Sequence, residues 1–137
     1  MEEKPLRILI TGSRDWPTKD SVKSDLIKFQ GRDVIIIHGA CPPKKRLRIV
    51  SNVPEYYGAD YFANEVAEEL GFKVEKYPAD WDKYGKRAAF IRNKEMVDSS
   101  PDSVLAYHKN NSSGTAMTIK LAREAGIKVY GRFILDE

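Results

Sequence analysis

Two hydrophobic periods alternate along this chain, and a sequence that switches repeatedly between them has few folds open to it. Short β-rich runs occur at Leu6–Thr11, Val34–His38, Phe72–Tyr77, Ser103–Tyr107 and Ile127–Tyr130, several continuous enough to be buried on both faces. Between them lie segments with helical spacing: Lys19–Phe29 (Val22, Leu26, Phe29), Ala59–Leu70 (Phe62, Val66, Leu70), Lys86–Val97 (Ala89, Met96) and Thr115–Ala125 (Ile119, Ala122). Alternation of this kind predicts parallel strands joined by right-handed crossovers. The expected fold is therefore α/β, a Rossmann-like open parallel sheet of about five strands with helices on both faces. Gly71 and Gly126 stand where left-handed residues should end the second and fourth helices.

The 137 residues suit one domain, 1–137, with one core. Hydrophobic residues at 42% and charged residues at 31% fit a globular protein. No apolar run approaches the roughly 20 residues needed to cross a bilayer. The amino terminus leads straight into a strand-like run rather than a signal peptide, so a cytoplasmic location is expected. Cys41 is the only cysteine, and His38 and His108 are far apart, so no disulfide, metal site or cofactor is expected. Residues Arg132–Glu137 read as a short tail.

One segment breaks the rhythm. Connections in such a fold usually take about 2 to 6 residues, yet Gly39 and Gly58 are separated by a far longer stretch in which Pro42, Pro43 and Pro54 discourage helix. It reads as a basic loop insertion, residues 41–57, with Lys44, Lys45, Arg46 and Arg48 against Glu55. That segment carries the whole of the formal net charge of +3, so the body is neutral. A lid is favoured over a spacer, because Tyr56 and Tyr57 follow the cluster. The segment is expected to be dispensable for folding.

Ligands in an open parallel sheet bind beyond the carboxyl ends of the strands, where strand order reverses. Three unusual motifs fall at such ends: Thr11-Gly12-Ser13-Arg14, His38-Gly39-Ala40, and Asn110-Asn111-Ser112-Ser113-Gly114-Thr115. In a Rossmann-type order the first and fourth strands are neighbours, so the first and third motifs should face each other across one crevice. Gly114 lets backbone approach a ligand, and Ser112, Ser113 and Thr115 add hydroxyls to the free amides of a helix start, an arrangement suited to phosphate. A plain helix cap explains the same residues. Arg14 offers a planar donor fork, or is a surface arginine. Neither the dinucleotide G-x-G-x-x-G nor the P-loop spacing is present.

Gly58-Ala59-Asp60 opens the second helix, where Asp60 favours the dipole or accepts from a sugar hydroxyl. Arg92 and Asn93 interrupt the apolar face between Ala89 and Met96; a buried arginine needs a crevice, an internal acid or a bound anion. The first or last of these is preferred to an internal salt bridge.

Ile-Thr-Gly-Ser-Arg (10–14), His-Gly-Ala (38–40), Gly-Ala-Asp (58–60), Ile-Arg-Asn-Lys-Glu-Met-Val (91–97) and Ser-Gly-Thr-Ala (113–116), in that order, resemble the SLOG superfamily. Within it, the chain is most similar to the small single-domain branch related to YspA and YpsA. The resemblance implies a Rossmann-like fold, a nucleotide or nucleotide-derived ligand and, in many members, a homodimer. The residues expected to contact the ligand are Gly12, Ser13, Arg14, His38, Gly39, Gly58, Asp60, Arg92, Asn93, Ser112, Ser113, Gly114 and Thr115.

Two features depart from the pattern. The branch runs almost directly from His-Gly-Ala into Gly-Ala-Asp, whereas here the basic segment intervenes. Members that hydrolyse nucleoside monophosphates resemble a Gly-Gly-x-Gly-Thr turn with a glutamate two or three residues on, and here Ala116, Met117 and Thr118 follow Gly114-Thr115. Glycosidic cleavage wants a carboxylate beside an oxocarbenium-like centre. Binding or sensing of a nucleotide is therefore the leading expectation. An N-glycosidase or phosphoribohydrolase using Asp60 or Glu95 is the alternative. A nucleic-acid module using Lys44, Lys45, Arg46 and Arg48, with Tyr56 and Tyr57 for stacking, is the third.

Overall fold

The computed structural model describes residues 4–47, 54–110 and 112–134; Arg48, Asn111 and the last residues of the expected tail lie outside the described residues. Five strands form one sheet: β1 (Leu6–Gly12), β2 (Val34–His38), β5 (Lys73–Lys76), β6 (Ser103–Lys109) and β7 (Lys128–Ile134). Their order is β5-β2-β1-β6-β7 and every pairing is parallel. The expected α/β fold is observed. Its helices are α1 (Lys19–Leu26), α2 (Ala59–Leu70), α3 (Trp81–Tyr84), α4 (Ala88–Asp98) and α5 (Ser113–Glu124).

Strand alternation divides the core into two layers. Ile8, Ile10 and Ile36 meet Val22 and Leu26 of α1 and Phe62, Ala63, Val66 and Ala67 of α2. Leu9, Ile37 and Val104 point the other way, onto Met96 and Val97 of α4 and Ala122 of α5. Each fully buried Ile or Leu contributes about 1.5–3 kcal/mol relative to exposure, which fixes the register of β1 between its two neighbours. Gly71 ends α2 at φ 76°, and Gly126 follows α5 at φ 78°, as the sequence predicts.

Several boundaries differ from the sequence reading. The helix expected from Lys86 is α-helical only from Ala88, after a 3-10 turn at Gly85–Arg87, and a separate single turn, α3, precedes both. The Arg132 end is not a tail: β6 runs two residues past Tyr107, and His108 and Lys109 pair with Phe133 and Ile134. Arg132 is held there by two bonds to Asp25, at 2.9 and 2.7 Å.

The insertion folds as an antiparallel hairpin, β3 (Lys44–Leu47) with β4 (Pro54–Tyr57). Pairing puts Lys44 opposite Tyr57 and Arg46 opposite Glu55. The hairpin is docked: Arg46 bonds Glu55 Oε1 at 2.6 Å and the Pro17 carbonyl at 3.2 Å, and its guanidinium lies 4.7 Å from the Tyr57 ring centroid. Tyr57 in turn packs against the α1/α2 layer. Among the described residues, no helix is long and apolar enough to cross a membrane.

Candidate functional site

The sheet reverses between β1 and β6, since β2 and β5 lie on one side of β1 and β6 and β7 on the other. At that point the connections after β1, β2 and β6 diverge and leave a crevice of about 460 Å³, within the size range of small-ligand sites. Its walls include Gly12, Ser13, Arg14, Gly39, Asp60, Arg92, Asn93, Ser112, Ser113, Gly114 and Thr115. Residues from all five sequence motifs are therefore brought together in one place.

At the end of β1 the glycine is dictated by packing. A Cβ on Gly12 would lie 2.5 Å from the Ala59 Cβ and 2.7 Å from the Tyr107 carbonyl oxygen, so α2 and β6 close on this position. Ser13 is consumed by the scaffold. Its amide donates to the Tyr107 carbonyl at 2.9 Å, and its hydroxyl receives the Lys109 amide at 2.8 Å and donates to the Lys109 carbonyl at 3.2 Å. Ser13 thus borders the crevice as a clasp between β1 and β6. Arg14 stands at the rim beside Asp15, whose carboxylate is 3.6 Å from Lys109 Nζ.

At the end of β2 two expected ligand residues take other roles. His38 is 2% exposed and does not border the crevice. Its Nδ1 accepts the Ala40 amide at 3.0 Å, which leaves Nε2 to donate to Asn64 Oδ1, also at 3.0 Å. The ring shapes the turn that carries Gly39, with Ala40 held at φ 52°. Gly58 is likewise outside the crevice lining: it sits at φ 130° ahead of α2, and a Cβ there would press within 2.6 Å of the Arg14 carbonyl oxygen. Its part is to let the chain pass Arg14 and enter α2.

Of the two carboxylates, Asp60 belongs to the crevice and Glu95 does not. Asp60, 8% exposed in the first turn of α2, accepts the Cys41 amide on Oδ2 at 3.1 Å. Glu95 is exposed on α4, while Arg92, Asn93, Met96 and Val97 form the buried face of that helix.

Arg92 forms the floor. It is 8% exposed, and its Nη1 donates to the Gly39 carbonyl at 2.6 Å while Nε donates to Asn93 Oδ1 at 2.8 Å. Its Nη2 lies 3.7 Å from Cys41 Sγ. No carboxylate among the described residues forms a salt bridge with it. The internal ion pair weighed in the sequence is therefore absent among those residues, and carbonyl oxygens hold the guanidinium instead. Cys41 was not legible as a site residue. Burial raises its thiol above the ordinary range, and Asp60 raises it further, while Arg92 pulls the other way; the sulfur remains a protonated, weakly nucleophilic group.

Opposite Arg92, α5 presents its first turn. Ser112 precedes the helix without a side-chain cap bond, and among the described residues no acceptor meets the amides of Ser113, Gly114 and Thr115. His108 bonds the Ser112 carbonyl at 3.0 Å and steadies that turn. A Cβ on Gly114 would meet nothing within 4 Å, so the position opens on free space. Lys44, from the hairpin, also lines the crevice; with Arg14 and Arg92 it opposes Asp15 and Asp60.

Among curated proteins, the Gene 61 protein of Mycobacterium phage D29 is 34% identical over 131 residues, spanning 90% of this chain and 93% of its own length. The chain belongs to the family of that phage protein. No family model matches the chain. Among solved structures, the C-terminal domain of a hydrogenase from Pyrococcus furiosus aligns over 96% of this chain and 95% of its own, at 17% identity and a TM-score of 0.44.

Proposed function

We propose that this member of the phage family is a SLOG-type domain, of the branch related to YspA and YpsA, that binds or senses a nucleotide or nucleotide-derived ligand in the crevice. The observation that carries the reading is the meeting of two kinds of donor. The amides of Ser113, Gly114 and Thr115, which meet no acceptor among the described residues, and the buried guanidinium of Arg92 border the same cavity. Backbone amides at a helix start and a fixed guanidinium are complementary to a phosphate. Asn93, Asp60, Ser112 and Thr115 complete the polar lining that would meet the sugar and base.

The hydrolase alternative draws support from Asp60 alone, since Glu95 faces away. A nucleic-acid role has Lys44 and Lys45 to draw on, but Arg46 is spent on Glu55, Pro17 and Tyr57. We also place the protein in the cytoplasm as a homodimer joined at β7. That strand is an edge of the sheet, and its Tyr130 and Phe133 are 55% and 54% exposed.

Calorimetric titration with matched nucleosides and nucleotides tests the ligand reading. One saturable site that prefers the phosphorylated member supports it; no binding by any nucleotide of the four common bases overturns it. Sedimentation equilibrium at twice the 15.6 kDa chain mass supports the dimer, and Tyr130→Asp should then return the monomer.

A further inference from the structure

We infer that the inserted hairpin makes Lys44 a specificity residue of this crevice, one that selects ligands carrying a second phosphate beyond the first. The inference rests on the nucleotide reading above. In an antiparallel pair, alternate residues share a face. Lys44 and Arg46 therefore lie on the same face of β3, opposite Tyr57 and Glu55, and Lys45 lies on the other. The inner face is fixed in place: Arg46 grips the Pro17 carbonyl and Glu55, and Tyr57 packs onto the domain core. Two residues upstream of that anchor, Lys44 reaches the crevice wall.

Charge completes the case. Of the crevice cations, Arg92 is tied to the Gly39 carbonyl and Asn93 in the floor. Lys44 and Arg14 have no acidic partner among the described residues, and the rim acid Asp15 already faces Lys109. The crevice thus offers two places for negative charge. One is the α5 amides with Arg92, which suit a first phosphate. The other is the rim under the hairpin, where an ammonium and a guanidinium stand without a salt-bridged acid among the described residues. An unphosphorylated sugar or a base gives no reason for that second site, whereas the pyrophosphate of a nucleoside diphosphate spans from the first to the second.

The test compares adenosine, AMP and ADP, with the guanosine series in parallel, by calorimetry on the full chain and on Lys44→Ala, Arg46→Ala and Lys45→Ala. The wild type should bind the diphosphate about tenfold more tightly than the monophosphate, the lower end for a hydrogen bond to a charged group. Lys44→Ala should abolish that preference and leave monophosphate affinity within about twofold. Arg46→Ala, which frees the hairpin, should reduce the preference, and Lys45→Ala should not. Added salt should erode the preference in the wild type more than in Lys44→Ala. Equal binding of mono- and diphosphate by the wild type, or a preference untouched by Lys44→Ala, overturns the role of Lys44 and leaves the nucleotide reading intact. Absence of binding by every nucleotide overturns both.

Discussion

The guanidinium of Arg92 lies directly against Gly39: a Cβ at position 39 would sit 2.5 Å from Nη1 and 2.8 Å from Cζ. The missing side chain of one residue is the space occupied by the charge of the other. Gly39→Ala should therefore push the guanidinium off the Gly39 carbonyl. Because the obstructing atoms end a flexible side chain, the cost in stability should be about 1 kcal/mol, within the common range for single substitutions. Phosphate affinity should fall about tenfold, as the donor leaves its fixed position. Thermal denaturation and calorimetry on the same variant separate the two effects.

Gly114 and Gly12 should respond in opposite ways. Position 114 opens on free space, so Gly114→Val should fold with a loss of about 1 kcal/mol or less yet block approach to the α5 amides and weaken nucleoside and nucleotide alike. At position 12 a Cβ meets the Tyr107 carbonyl at 2.7 Å, and Gly12→Val should cost about 1–3 kcal/mol or more in stability. Arg92→Ala should weaken phosphorylated ligands by about 1.5–3 kcal/mol and leave unphosphorylated nucleosides much less affected. Arg92→Lys should recover part of the loss. Equal losses for nucleoside and nucleotide in Arg92→Ala would assign Arg92 a purely structural role.

Acid should loosen the β7 edge through Asp25. Burial alone would raise this carboxyl, but the hydrogen bonds from Arg132 and Tyr107 outweigh it and hold the group below its ordinary value. A depressed carboxylate stabilises the fold above the unfolded pKa of about 4 and loses that contribution as the pH falls through the folded value. Asp25→Asn should lower Tm by about 2–4 °C at pH 7, in line with a partly exposed ion pair. The gap to wild type should close as the pH falls below the folded value. A gap that persists there would show that packing, not charge, is lost.

Base release from nucleoside monophosphates should be absent or close to background. Glu95 is on the wrong face of α4, and Asp60, the one candidate carboxylate in the crevice, is held on Oδ2 by the Cys41 amide rather than poised as general acid or base. Chromatography of reaction mixtures checks this. Clear release that disappears in Asp60→Asn would promote the hydrolase reading.

Replacing residues 42–56 by a short Gly/Ser linker should leave a folded domain. Of β3 and β4, only Tyr57 packs on the core, and loop length itself costs little, about 0.6 kcal/mol per doubling. Far-UV circular dichroism and a cooperative melt give the readout; a molten chain would make the hairpin part of the folding unit.

The sheet was readable because its signals are redundant. Within β1, Ile8–Ile10 is apolar on both faces, and Gly58 and Gly71 bracket α2 so closely that its ends, Ala59 and Leu70, are as the sequence predicts. The hairpin was not readable because β3 and β4 pair only with each other and bury a single aromatic, so no alternation of apolar residues marks them. β7 past Tyr130 was hidden for a related reason: Gly131 and Arg132 break the run, and the bond that keeps Arg132 in the strand comes from Asp25, 107 residues away. In the site, the sequence identified which residues gather but not what occupies their polar atoms. Ser13 and His38 carry the right chemistry for a ligand, and both are saturated, Ser13 by the backbone of Lys109 and His38 by the Ala40 amide and the Asn64 side chain.

The clasp of Ser13 on Lys109 has a consequence for how this site works. Two strands that diverge at their tips are normally free to breathe there, and many crevices of this kind take shape around the guest. Here one serine threads both backbone groups of Lys109 through its hydroxyl just beyond the last paired residues. The floor is consequently a mould set before anything enters it, and adaptation to guests of different length falls to the long side chain of Lys44, carried on a hairpin pinned at Arg46.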